Sequence, residues 1–202
     1  MNLGDQTINE FLSSLSAKQP TPGGGAVAGL LAALSSSLGQ MVLAYTEGKK
    51  KYEKFEEENN ISISLFKTSA QHAISLGNED ALVYSALNEL WKLDKDDPKR
   101  IAEWDMALTD AIEVPLRVLE LCDVVANTIQ SLVGKTNTML SSDLVIAGIL
   151  AEAGARCALQ NVEINVNLLE NEKKKKEYQT RANMHVDCCV RSCSSIESSC
   201  KI

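Results

Sequence analysis

Chemistry in this 202-residue chain would fall to polar groups set among apolar helical stretches. Thr21-Pro22-Gly23-Gly24-Gly25 stands at the mouth of a segment with no charge between Lys18 and Glu47. A glycine run opening a helix exposes backbone N–H groups with no Cβ in the way, and the helix dipole there favours an anion or a carboxylate. The same run serves equally well for tight packing or a positive φ. Lys49-Lys50-Lys51-Tyr52 follows the segment, either as a solvated charge run or with one ammonium turned into a pocket. Glu79-Asp80 precedes Tyr84 by about one turn, and Asp80 would suit the first turn of a helix. Asn137 stands in a loop ahead of Ser141-Ser142-Asp143, where Ser142 or Asp143 can cap the next helix. Asn161 and Asn165, four apart, share one face of an apolar helix and need hydrogen-bond partners if buried.

Other chemistries are absent from the pattern. The chain has only two histidines, His72 and His185, and no P-loop, HExxH, nucleophile elbow or GxGxxG. Its net charge of -7 argues against nucleic-acid binding, which calls for a basic face. At 4% aromatic residues it has little with which to stack single-stranded bases. Of six cysteines, Cys122 and Cys157 fall in apolar helical patterns and read as core residues. Cys188, Cys189, Cys193 and Cys200 crowd the end of the chain. Their spacing fits no zinc-finger pattern, even with His185 four before Cys189, so no metal is expected. The absence of a signal peptide at Met1 points to a reducing cytoplasmic setting with free thiols.

The elements that position these groups read as helices throughout. Thr7 begins a short helix, with Glu10 as its capping-box partner, and Pro20 and Pro22 stop it. The second helix runs from Gly24 or Ala26 to Tyr45 with small residues on nearly every turn. It is long enough to span a bilayer, but its serines, Gln40 and glycines favour a buried core helix. Helices are expected over Ile61–Leu76 and Glu79–Leu93, interrupted by Gly77-Asn78. Ile101–Leu132 is helical in pattern, with Pro115 kinking or restarting it. Leu144–Leu169 is apolar around most of its circumference, and the charged, amphipathic Glu170–Val190 follows. The expected fold is a single all-α, up-and-down bundle of roughly eight helices spanning residues 1–202, with 188–202 as a flexible Cys/Ser-rich tail. The apolar surface of the second helix and of Leu144–Leu159 exceeds what one layer of neighbours would cover, so a homodimer is expected.

Taken in order, "PTPGGGAVAGLLAALSSSLGQMV", "GKKKYE", "EDALVYSAL", "AIEVPLRVLEL" and "GKTNTMLSSDLVIAGILAEAGARCALQNVEINV" resemble the cyclodeaminase/cyclohydrolase family of folate enzymes. The resemblance covers roughly Thr7 to Leu169. It implies an all-helical, usually dimeric subunit with a pocket at or near the subunit interface, a tetrahydrofolate substrate, and neither metal nor cofactor. By this resemblance Pro22, Gly23, Gly24 and Gly25 match the glycine motif, and Lys49, Lys50 and Tyr52 the basic motif. Asp80 matches the acid after the central helix break, Asn137 and Asp143 the Asn and the Ser-Asp pair, and Asn161 and Asn165 the NV-x-IN motif. Ala26 stands where the family often has Ser, and "LWKLDKDDPKR" replaces a common Leu-Pro.

The implied reaction closes 5-formimidoyltetrahydrofolate to 5,10-methenyltetrahydrofolate with loss of ammonia. The alternative is hydrolysis of the methenyl bridge to 10-formyltetrahydrofolate. On this reading Asp80 is the acid or base, Lys49 or Lys50 holds the substrate glutamate or moves a proton, Asn137 and Asn161 orient the pterin amide edge, and the glycine N–H groups hold a carboxylate or the pterin carbonyl. The competing class is a non-catalytic folate-binding or assembly module. No nucleic-acid or membrane partner is expected.

Overall fold

The computed structural model describes residues 2–200. Six α-helices and three short 3-10 turns make up its secondary structure, with no strand among the described residues. The helices are α1 (Ile8–Ser16), α2 (Gly24–Ala44), α3 (Glu56–Trp91), α4 (Pro98–Ser131), α5 (Ser141–Val166) and α6 (Glu172–Ser199). The all-α expectation holds, but with six helices rather than eight. Thr7 caps α1 through the anticipated capping box with Glu10.

The difference in number arises at two places where a local helix breaker is overruled by packing. Gly77-Asn78 does not interrupt α3, which runs through it. A Cβ on Gly77 would lie 3.1 Å from the Leu3 side chain and 3.6 Å from the Ala26 Cα, so the glycine is there for close approach. The Asn78 Oδ1 accepts from the Leu3 N–H at 2.7 Å, which spends its side chain on the N-terminal turn instead of on ending the helix. Likewise α4 continues through Pro115. Proline lacks the N–H that would bond the carbonyl four residues back. The Asn165 Nδ2 takes over that carbonyl, of Ala111, at 2.7 Å.

Helix α2 is the centre of the bundle, flanked chiefly by α3 and α5. Its small residues set the distances. A Cβ on Gly29 would lie 2.7 Å from the Ala73 carbonyl, one on Gly39 2.8 Å from the Phe66 ring, and one on Gly154 of α5 3.4 Å from the Ala28 carbonyl. Ser35, fully buried, donates to the Ala147 carbonyl at 2.7 Å and ties α2 to α5.

The tail expectation is corrected. Residues 188–199 continue α6, and Cys189, Ser192, Cys193 and Ile196 are buried. A Cβ on Gly148 would lie 2.9 Å from Ile196, so α5 carries a seat for the end of α6. A polar seam adds to this docking. Arg181 pairs with Glu113 and Glu120, His185 Nδ1 with Asp123 at 2.8 Å, and Gln130 donates to Ser195. Burial pushes the Cys122 and Cys193 thiols up to about 12 and raises that of Cys189 as well, so these are packing residues.

Candidate active site

Asp80 is half-buried on α3 and presses against the first turn of α2. The crossing is set by small residues spaced four apart on both helices: Gly25 and Gly29 on α2, Ala73 and Gly77 on α3. Asp80 then falls opposite Gly25, where a Cβ would lie 2.0 Å from the Asp80 Cγ. Gly25 is therefore a glycine because the carboxyl group occupies the space of its side chain. Gly23, Gly24 and Gly25 do not have positive φ, which leaves close approach as the reason at Gly24 and Gly25; a Cβ on Gly23 would meet only the Pro20 carbonyl, at 4.0 Å. Gly23 is the N-cap and supplies no side-chain hydrogen bond, so the first-turn amides of α2 have no side-chain cap.

No hydrogen bond or ion pair engages Asp80 among the described residues. Burial raises its carboxyl from 3.8 to about 6. A carboxyl group that changes protonation near neutral pH can both take up and return a proton.

Asn161 of α5 completes this end. Its Oδ1 would be 3.2 Å from a Cβ on Gly24, so the second glycine leaves room for an amide as the third does for a carboxylate. Its Nδ2 donates to the Cys157 carbonyl at 3.2 Å. Asn165 lies one turn on but has its Nδ2 committed to Ala111 and Asn161 carbonyls, and acts as the bridge over Pro115. Pro22 and Ala26 line a cavity of about 480 Å³ at this end, with Gln6, Gly77 and Asn78. Gln6 was not singled out from the sequence; its Oε1 is buried there without a partner.

The remaining sequence-predicted residues lie at the other end of α2. Lys49 and Lys50 are exposed on the rim of a second cavity, of about 340 Å³, between the end of α2, the 3-10 turn Lys50–Phe55 and the start of α3. Tyr52 is buried in its wall, and its hydroxyl accepts from the Thr138 N–H at 3.1 Å. Asn137 does not face a free site. Its Oδ1 accepts from Met139 N–H, its Nδ2 donates to the Tyr45 carbonyl, and its own N–H donates to Thr46 Oγ1 at 2.9 Å. It caps the 3-10 turn Thr138–Leu140 and latches it to the end of α2. Asp143 is in the first turn of α5, whose N-cap is Leu140 without a side-chain cap; neither Ser142 nor Asp143 caps that helix.

The candidate residues thus form two groups at opposite ends of α2. Asp80, the glycines, Asn161 and Asn165 are at its start, and Lys49, Lys50, Tyr52, Asn137 and Asp143 at its finish. A helix of 21 residues is about 30 Å long, so within one chain no ammonium of the lysine run meets the Asp80 carboxyl. No group of three or more His, Cys, Asp or Glu side chains among the described residues could hold a metal ion.

Fold and site together define an all-α protein with a half-buried carboxyl held against a glycine-opened helix. The family model described as formiminotransferase-cyclodeaminase matches residues 7–184, and the chain belongs to that family. This is the family the sequence motifs resemble. The chain is 30% identical to a methenyltetrahydrofolate cyclohydrolase of Methylorubrum extorquens over 83% of each chain. It is 29% identical to the formimidoyltransferase-cyclodeaminase of Mus musculus over 89% of its own length, but spans only 34% of that longer relative. A solved formiminotetrahydrofolate cyclodeaminase from Thermotoga maritima shares the fold at a TM-score of 0.91 with 23% identity, covering 98% of this chain and 96% of the other.

Proposed function

We propose that this protein is an enzyme of folate one-carbon metabolism that closes 5-formimidoyltetrahydrofolate to 5,10-methenyltetrahydrofolate and releases ammonia. The observation that carries the mechanism is Asp80: unpartnered, titrating at about 6, and pressed on the α2 N-terminus. The formimidoyl group reacts in its protonated amidinium form: N10 of the substrate adds to its carbon and gives its proton to the Asp80 carboxylate. Asp80 returns the proton to the leaving nitrogen, the carbon–nitrogen bond breaks, and ammonia departs. The remaining methenyl bridge is cationic, and a nearby carboxylate favours it electrostatically. The uncapped amides of Gly24 and Gly25 and the amide of Asn161 hold the substrate at that end. No resident metal or cofactor is needed for these steps, and none is proposed.

A homodimer completes the proposed site. Leu34 on α2 and Ile146 and Ile149 on α5 are nearly half exposed, although both helices are apolar enough to span a membrane. Only a third of the most apolar window of Thr138–Val166 is buried within the chain. An antiparallel two-fold pairing along α2 would cover this face with a second copy. It would also bring Lys49 and Lys50 of one subunit to the Asp80 end of the other. Such a pair needs neither a bilayer nor nucleic acid, and suits a cytoplasmic enzyme. Mixing Asp80→Asn with Lys50→Ala subunits tests this arrangement. Heterodimers would restore one intact site, about a quarter of wild-type turnover in a random mixture. Activity no higher than either parent would refute the shared site.

A second reading, methenyltetrahydrofolate cyclohydrolase, is favoured by the match to the Methylorubrum enzyme over 83% of each chain. There Asp80 would activate water against the methenyl carbon. Offering 5-formimidoyltetrahydrofolate and methenyltetrahydrofolate separately, and following methenyl absorbance and ammonia, distinguishes the two. Turnover of neither, with no folate binding, would leave the non-catalytic module.

A further inference from the structure

We infer that the cavity at the C-terminal end of α2 seats the bicyclic pterin of the substrate, and that Asn59 reads the pterin's hydrogen-bond-donor edge. The inference rests on the folate reading above and on its antiparallel dimer, which would set this cavity beside the Asp80 end of the second copy. The cavity, of about 340 Å³, is within the size range of small-molecule sites. Leu43, Tyr52 and Ile63 give it an aliphatic and aromatic wall suited to a flat ring. Asn59, on the first turn and a half of α3, lines it at 7% exposure. Its Nδ2 donates to the Lys135 carbonyl at 3.3 Å, which fixes the amide with Oδ1 as the spare group. That Oδ1 is buried and has no partner. A buried acceptor left unpaired is costly unless a ligand supplies the donor.

An acceptor in this position calls for a donor. The pterin presents a ring N–H beside an exocyclic amine, whereas the glutamate end of folate presents carboxylates. Glu47, Glu53 and Glu56 stand on the same rim, and they too would repel carboxylates and welcome the amine edge. Lys49 and Lys50 on that rim then lie toward the one-carbon bridge. Asn137 is excluded as the reader, since both ends of its side-chain amide are engaged.

Titration calorimetry with tetrahydrofolate, 6-methyltetrahydropterin and p-aminobenzoylglutamate tests the assignment. Asn59→Leu should weaken the first two by about ten- to a hundred-fold and leave the third within about two-fold. The unliganded variant should stay folded, since it sheds an unpaired buried acceptor while it loses the donor to the Lys135 carbonyl. If Asn59→Leu does not fold, Asn59→Ala is expected to show the same ligand pattern. Unchanged pterin affinity, or loss of p-aminobenzoylglutamate affinity alone, would overturn the assignment while leaving the folate reading intact. Failure of wild type to bind tetrahydrofolate would instead remove the folate reading itself.

Discussion

Replacing Asp80 with asparagine keeps the shape of the side chain and removes a charge held between α3 and the start of α2. Burial moves the carboxyl from 3.8 to about 6, which corresponds to about 3 kcal/mol against the ionised form. Solvent screening of this part-exposed group discounts the figure to about 2 kcal/mol. Between pH 3.8 and about 6 the folded chain holds a proton that the unfolded chain has released. Stability from this group therefore falls as pH rises through that window, and the full penalty is present above it. Asp80→Asn is expected to gain about 2 kcal/mol at pH 8 and close to nothing at pH 3.5. Urea unfolding of both proteins at fixed concentration, followed by far-ultraviolet circular dichroism, reads the difference. Turnover of 5-formimidoyltetrahydrofolate should fall by about 10²- to 10⁴-fold in the same variant. A variant no more stable than wild type at pH 8 would refute the claim that Asp80 is held charged at a cost. Full turnover would refute its role as acid and base.

Gly25→Ala places a methyl group on the Asp80 carboxyl, so activity should collapse and stability fall by about 1–3 kcal/mol; adding Asp80→Ala should recover the stability but not the activity. Asn165→Leu strips the Ala111 carbonyl of the partner that stands in for the missing Pro115 N–H, with an expected loss of about 1–3 kcal/mol in denaturant unfolding. The loss should shrink when Pro115→Ala restores an N–H, a coupling that a double-mutant cycle measures. Truncation after Asp187 removes buried Cys189, Cys193 and Ile196 and opens the Gly148 seat, so the shortened chain should unfold well below wild type or aggregate; a flexible tail would be lost without effect on melting temperature.

Much of the fold was legible because its signals are local. Thr7 with Glu10 marks a helix start by hydrogen-bond geometry alone, and the small-residue stripe of α2 marks a helix that neighbours approach closely. Gly77-Asn78 and Pro115 misled for the same reason in reverse. Each is a helix breaker locally, and each is overruled by a group far away in sequence, Leu3 and Ala26 in one case and Asn165 in the other. The cysteine-rich end looked like a tail because its polar serines and cysteines carry little hydrophobic periodicity, yet a glycine on α5 makes room for it.

By itself the sequence determined the helical class, the family, and most of the polar groups, since these depend on residue type and short-range spacing; it did not single out Gln6 or Asn59. Only the tertiary structure decided what each group does. It put Asp80 in the space of the Gly25 side chain, committed Asn137 and Asn165 to backbone groups, and exposed Asn59 as a buried acceptor without a donor. It also set the lysines at the far end of a 21-residue helix from the carboxyl. The physical reason is that charge burial, hydrogen-bond satisfaction and backbone approach are properties of pairs brought together from distant parts of the chain.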